Sequence, residues 1–359
     1  MKAVVLVGGE GTRLRPLTTT TPKPLLPIAN QPFLERQLTW LQSAGVTEVV
    51  LSLGYLPDAF IEHFPDGRFG SMTLRYAVEA EPLGTAGAIR YAADGIDERT
   101  IVCNGDVLTT LDLPALVAFH EARGAEATIA LTQVKDPSAF GVVPTTSEGA
   151  VQAFVEKPPA DKAPTNWINA GIYILEPSVL AQIPLGINTS IERETFPRML
   201  EDQRGLYAMQ SDAYWLDIGT PDKYLQAHHD VLAGALGLPP VADAIEQSPG
   251  IWLQGDAIVH PGAHVEAPVL LGHGVEVAAG ARVEASVLGA RCSIGADARV
   301  RRSVLLADAH MGPDSECDDS ILGAAAVLGP DALVADQTIV GAAAAVAVGE
   351  QLSGARVDA

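Results

Sequence analysis

The sequence predicts an α/β chain in two parts: a mostly parallel sheet with helices on both faces, then a parallel β-helix. Three observations carry this. Up to about residue 230, short β-branched runs alternate with longer amphipathic stretches. From 251 to about 348, small aliphatics recur near every sixth residue. Between the two textures, residues 233–250 are rich in Ala, Gly and Pro, the composition of a linker. The expected organisation is an α/β domain over 1–232, a linker over 233–250 and a β-helix over 251–359.

In order, residues 3–7 are an apolar run ending at glycine, as in a strand buried on both faces. Residues 32–44 read as a helix, with Phe33, Leu34, Leu38 and Leu41 at helical spacing. Strands are expected at 46–53, 100–103 and 127–134, and a helix at 114–123. This βαβ rhythm is Rossmann-like. In such sheets ligands bind beyond the carboxyl ends of the strands, so chemistry is expected in the loops that follow them. In the second part, Val259, Val265, Leu271, Val277 and Val283, then Ile294, Val300 and Leu306, mark a hexapeptide period. That period resembles the left-handed parallel β-helix, with roughly five coils at three hexads per turn. It slips near 286–292 and 317–325, so irregular coils are expected there.

The 359-residue chain is 48% hydrophobic but only 5% aromatic, so small aliphatics must fill its cores. No stretch reads as a signal peptide or as a bilayer span, and a soluble, cytoplasmic protein is expected. Cys103, Cys292 and Cys317 form no CxxC pair and read as reduced thiols. A formal net charge of −21 argues against nucleic-acid binding, which needs a basic face. It also repels phosphates at long range, so a phosphate site must be a local exception. The first 25 residues supply one, with Lys2, Arg13, Arg15 and Lys23 against a single acid, Glu10.

Two motifs lie in that basic island. GGEGTRLRPLT (8–18) follows the first strand. Gly8, Gly9 and Gly11 allow close backbone approach and expose N–H groups to anionic oxygens, and Arg13 adds a forked donor. The spacing fits neither GxxxxGK[ST] nor GxGxxG, and by itself it reads equally as a tight turn. PKPLLPI (22–28) stiffens the backbone around Lys23, which fixes where an ammonium points, though alone it is a plain proline-rich loop.

Together these motifs resemble the signature of the sugar-1-phosphate nucleotidyltransferases. Further motifs of that family follow in order: EPLGTAG (81–87), NGD (104–106), FGVV (140–143), FVEKP (154–158), NAGIY (169–173) and WLDIGTP (215–221). The likeness covers nearly all of residues 1–225. TSIERETFP (189–197), LYAM (206–209) and the hexapeptide tail look most like the mannose-1-phosphate guanylyltransferases.

The resemblance implies that a sugar-1-phosphate oxygen attacks the α-phosphorus of an NTP directly and releases pyrophosphate, with no covalent enzyme intermediate. It implies Mg2+ held by Asp106 and Asp217, which on sequence alone read as turn or cap aspartates. Arg13 and Lys23 would stabilise the triphosphate and the departing pyrophosphate. Lys157 would hold the sugar phosphate and Glu156 the sugar hydroxyls, with Gly141, Asn169 and Gly171 lining the sugar pocket. Leu6, Gly8, Gly9, Gly11, Thr12, Glu81, Gly84 and Thr85 would bind the nucleotide together with Arg13, Lys23 and Asp106. The 81–87 segment resembles the base loop of guanylyltransferases, which makes GTP and mannose 1-phosphate the expected substrates. The same chemistry with dTTP, UTP or ATP and another sugar or cyclitol phosphate stands as the alternative. Glu79 or Glu81 could accept from guanine N1–H and N2–H₂, or be a solvated acid.

Two readings come from other classes. A paralogue that binds a nucleotide sugar without turnover is opposed by the intact Arg13, Lys23, Asp106, Lys157 and Asp217. Hexapeptide β-helices also occur in acyltransferases that use a histidine base. Candidates are His260, His264, His273 and His310, with Arg299, Arg301 and Arg302 for a CoA pyrophosphate, although surface turn histidines are commoner. The expected role of the coils is homo-oligomerisation. No nucleic-acid or membrane partner is expected.

Overall fold

The computed structural model describes every residue, Met1–Ala359. The chain forms two compact units, Met1–Gly9 with Leu34–Trp215, and Glu10–Phe33 with Leu216–Ala359.

The first unit is built on a ten-stranded mixed sheet. Strands β1 (Lys2–Leu6), β2 (Glu48–Leu53), β3 (Met72–Val78) and β4 (Thr100–Asn104) are parallel, in the order β4-β1-β2-β3. They are followed in sequence by β5 (Ala127–Gln133), β6 (Gly141–Val142), β7 (Val155–Glu156), β8 (Trp167–Leu175) and β9 (Leu206–Gln210). Strand β8 runs antiparallel to β4, β5 and β6; β7 pairs with β6, and β9 lies parallel to β5. The central strands are apolar runs, as strands covered on both faces require: Ala3, Val4 and Val5 in β1 are fully buried. Of the unit's six α-helices, four matter here: α1 (Phe33–Ser43), α2 (Gly84–Ala92), α3 (Leu113–Arg123) and α4 (Phe196–Glu201). Helix α1 buries Leu34, Leu38 and Leu41 as its periodicity predicts. Helix α3 starts where Asp112 accepts the Ala115 N–H at 2.9 Å and stops at left-handed Gly124. The expected elements appear with ends moved by one or two residues.

The second unit carries three sheets of short parallel strands, consistent with the left-handed β-helix. Register pairs Ile258 with Glu276, Glu276 with Ser293 and Ser293 with His310, so successive coils are 18 or 17 residues long. Six strands stack on each of two faces, against the roughly five coils expected. The short coils lose a residue at one corner, where Ala285, Arg302 and Asp319 take left-handed backbone before Ser286, Ser303 and Ser320. These serines bury their hydroxyls as a ladder, with Ser303 N donating to Ser286 Oγ at 3.0 Å and Ser320 N to Ser303 Oγ at 3.1 Å. The step moves Leu305 into the core where the hexad count had placed Leu306. Cys292 and Cys317 lie in this core, and burial pushes both thiols up to about 12.

Ahead of the coils, α5 (Pro221–Leu232) and a hairpin of β10 (Ala244–Ser248) with β11 (Ile251–Gln254) belong to the same unit. So does the segment Glu10–Phe33, folded as three short 3₁₀ turns. Tyr224 Oη of α5 donates to Pro27 O at 2.6 Å, and Ala29 N donates to His228 Nδ1 at 3.1 Å. Asn30 Nδ2 donates to Gln254 Oε1 at 2.9 Å and to Leu288 O at 3.0 Å. No helix is long and apolar enough to cross a membrane.

Candidate active site

In the first unit the site is built at the carboxyl ends of β1 and β4. Leu6 pairs in register with Asn104, so the loop after β1 and the turn after β4 begin side by side. Gly105 N donates to Leu6 O at 2.8 Å, and a Cβ at Gly105 would lie 2.4 Å from Val7 Cγ1. Only glycine lets the Asp106 turn close on the first strand. Gly8 is also tight, since its Cβ would meet Gly54 N at 3.1 Å. Gly9 has nothing within 4 Å, so the chain's own packing does not require it. Buried Gln37 on α1 donates to Asn104 O at 2.6 Å and fixes the turn from below. Sequence reasoning missed Gln37, which reads as a polar helix residue until the turn is seen above it.

The residues expected to line a sugar pocket adjoin this turn. Strand β8 is irregular between Asn169 and Tyr173. Asn169 Oδ1 accepts Gly171 N at 2.9 Å, and left-handed Gly171 packs against Asn104, whose Nδ2 would be 2.5 Å from a Cβ there. Trp215 Nε1 holds Ala170 O at 2.9 Å. Gly141 sits opposite Glu156 in the β6–β7 pair, and a Cβ on it would strike Phe154 at 2.6 Å and come within 3.2 Å of Glu156 Oε2. Lys157 follows in left-handed backbone, uncommon for a lysine.

The 81–87 loop is clamped to a distant segment. A Cβ on Gly84 would lie 2.6 Å from Thr189 O. Thr85 Oγ1 accepts Ile191 N at 2.8 Å and donates to Glu192 Oε2 at 2.8 Å. The Thr85 hydroxyl is therefore engaged within the chain. Glu79, a candidate base acceptor, instead accepts from Ser52 Oγ at 2.9 Å and Leu83 N at 3.0 Å and closes the loop. Glu81 is exposed. Glu192 was also missed. It accepts from Thr85, from Ser190 Oγ at 3.0 Å and from Tyr173 Oη at 3.4 Å, while Asn169 Nδ2 donates to Tyr173 Oη at 2.7 Å. Burial, then the Glu192 charge, push the Tyr173 phenol well up, so it stays a donor.

The second unit holds the remaining groups. Left-handed Gly11 packs on Thr18 and Lys23, and Thr18 Oγ1 donates to Gly11 O at 2.9 Å. Lys23 is only 8% exposed, as its proline neighbours suggest. Thr12 and Arg13 are exposed in the following turn. A Cβ on Gly219 would lie 2.5 Å from Arg13 Nη2 and 2.9 Å from Asp217 Oδ1, so guanidinium and carboxylate are neighbours. The strand ending at Asp217 lies outside the ten-stranded sheet, whereas the turn that carries Asp106 follows one of its strands. The basic island is also smaller than the sequence suggests. Arg15 pairs with Glu10 at 2.9 Å, and Lys2, at the start of β1, pairs with Glu48 and Glu98.

Nothing assembles around the β-helix histidines. His273 pairs with Asp243 at 2.8 Å, His310 with Ser293, and His260 caps its own turn. Arg299, Arg301 and Arg302 are each paired with Glu316 or Asp318. No group of three or more His, Cys, Asp or Glu could cage a metal.

Residues 2–234 match the nucleotidyl transferase family and 248–357 match the GMPPB C-terminal domain. The chain belongs to the nucleotidyl transferase family and is an enzyme of nucleotidyl transfer to a sugar phosphate. It is 41% identical over 289 residues to a mannose-1-phosphate guanylyltransferase of Mycobacterium tuberculosis (strain ATCC 25618 / H37Rv), covering 80% of this chain and 79% of that one. It is 44% identical over 231 residues to the Schizosaccharomyces pombe mannose-1-phosphate guanyltransferase, covering 63% and 62%. Among solved structures, HddC from Yersinia pseudotuberculosis in complex with GMP-PN is similar at TM-score 0.55 and 31% identity, covering 64% of this chain and 98% of HddC.

Proposed function

We propose that this chain makes GDP-mannose, transferring guanylyl from GTP to mannose 1-phosphate with release of pyrophosphate. The observation that carries it is the placing of Arg13 and Asp217 side by side against Gly219, a phosphate-binding fork near a metal-type carboxylate. Arg13 and Lys23 bind the β- and γ-phosphates and receive the charge that develops on the departing pyrophosphate. The backbone of Leu6, Gly8, Gly9, Gly11 and Thr12 and the Glu81, Gly84 and Thr85 loop hold the nucleotide. Lys157 holds the sugar phosphate, Glu156 accepts from sugar hydroxyls, and Gly141, Asn169 and Gly171 shape the pocket. Asp106 and Asp217 are assigned to Mg2+, which when bound screens the charge between the two anionic substrates. The sugar 1-phosphate oxygen attacks the α-phosphorus directly as pyrophosphate leaves, so no enzyme side chain is needed as the nucleophile. Residues 1–232 are assigned to this chemistry, 233–250 to a connection, and 251–359 to homo-oligomerisation in the cytoplasm. The identity to guanylyltransferases and the likeness to a structure holding GMP-PN support the choice of GTP.

The test is pyrophosphate release across GTP, dTTP, UTP and ATP against a panel of sugar 1-phosphates. GTP with mannose 1-phosphate is expected to give the highest kcat/KM. Equal use of the four NTPs overturns the guanylyl assignment, and an Asp106→Ala variant as active as the wild type overturns the catalytic one.

A further inference from the structure

The turn Ile191–Thr195 is wide, with backbone bonds from Thr195 N to Ser190 O and from Phe196 N to Ile191 O. Pro197 has no N–H to give to Arg193 O, which would be the next ordinary helical bond. The turn sends Glu192 to Thr85 and leaves Arg193 outside, its side chain 66% exposed. Arg193 Nη2 lies 3.6 Å from Glu156 Oε1, and Lys157 Nζ lies 3.8 Å from the same oxygen. Two exposed cations on one carboxylate oxygen do little for the fold, because such pairs contribute little and the second cation adds repulsion. The next acid along, Glu194, is turned back onto Ser190 N at 2.9 Å. Glu156, Lys157 and Arg193 therefore keep a surplus positive charge beside Gly141.

We propose that Arg193 is a second phosphate-binding cation for the sugar 1-phosphate, acting with Lys157 across Glu156. This rests on the transferase reading above. A phosphate monoester carries about −1.5 to −2 at neutral pH, more than one lysine neutralises. A guanidinium presents two parallel donors that match two phosphate oxygens, and an ammonium does not. Glu156 holds the two cations in place while its other oxygen stays over Gly141. In a chain of net charge −21, capture of a small anion depends on such a local surplus.

Arg193→Ala and Arg193→Lys in the full-length enzyme test this, with each substrate varied in turn. Arg198→Ala serves as a control, because Arg198 is equally exposed and its ion pair is with Asp202, just past the end of its own helix. Arg193→Ala is expected to raise KM for the sugar 1-phosphate about tenfold or more, leave KM for the NTP within about twofold, and flatten the salt dependence of the former. Arg193→Lys should recover part of the loss. An unchanged sugar-phosphate KM overturns the inference alone, as does an equal rise in both KM values, which would mark a structural role. Failure of the wild type to release pyrophosphate with every substrate pair would overturn the transferase reading as well.

Discussion

At Gly219 a single methyl group separates folding from function. The Cβ of an alanine would press on Arg13 Nη2 and Asp217 Oδ1, both ends of side chains that can swing aside. The cost to stability is therefore small, within about 1 kcal/mol, but both groups leave their places. Displacement of catalytic groups by about 1 Å costs on the order of 100-fold. Gly219→Ala is expected to melt within a few degrees of the wild type and to lose about 100-fold in kcat/KM. Melting curves and pyrophosphate release decide it, and near-normal activity would show that the placing of Arg13 and Asp217 against Gly219 is incidental. Gly105 differs, because its Cβ would strike the Leu6 carbonyl at 2.6 Å as well as Val7. There, backbone must move, so stability and activity should fall together.

The wide turn Ile191–Thr195 shows what one element can align. Through Glu192 it reaches Thr85 on the loop assigned to the nucleotide, and through Tyr173 it reaches Asn169 on the sugar side. Glu192→Ala is expected to raise KM for both substrates severalfold, because hydroxyls on both sides lose their acceptor. Tyr173→Phe should raise KM for the sugar phosphate only. Steady-state kinetics distinguish the two, and a change confined to one substrate in Glu192→Ala would dismiss the link. The sequence made part of this scale legible. Strand β1, helix α1 and the glycine loop could be placed because apolar periodicity and glycine spacing are local properties. Glu192 could not, because its partner Thr85 lies 107 positions away and a wide turn has no periodicity of its own. Strand β8 was missed for a related reason, as its irregular step at Asn169–Tyr173 breaks the alternation by which strands are recognised. The serine corners of the β-helix showed only as slips in a period, whose cause needed the buried ladder.

At the scale of the whole molecule, the chain divides differently from its sequence textures. The segment that carries Arg13 and Lys23 belongs with the β-helix unit, while Asp106, Glu156 and Lys157 belong with the sheet. The hairpin and coils hold the end of that segment through Asn30, with one amide donating to both Gln254 and Leu288. Its backbone is left-handed, so alanine there would confuse lost contact with strain. Asn30→Gly removes the amide and keeps the conformation. It is expected to lower the melting temperature by a few degrees, as loss of two hydrogen bonds at about 1 kcal/mol each implies. It should raise KM for the NTP severalfold and leave KM for the sugar phosphate unchanged. If the protein is destabilised yet binds the NTP as tightly as the wild type, Lys23 and Arg13 keep their places without this anchor, and the coils support only the fold.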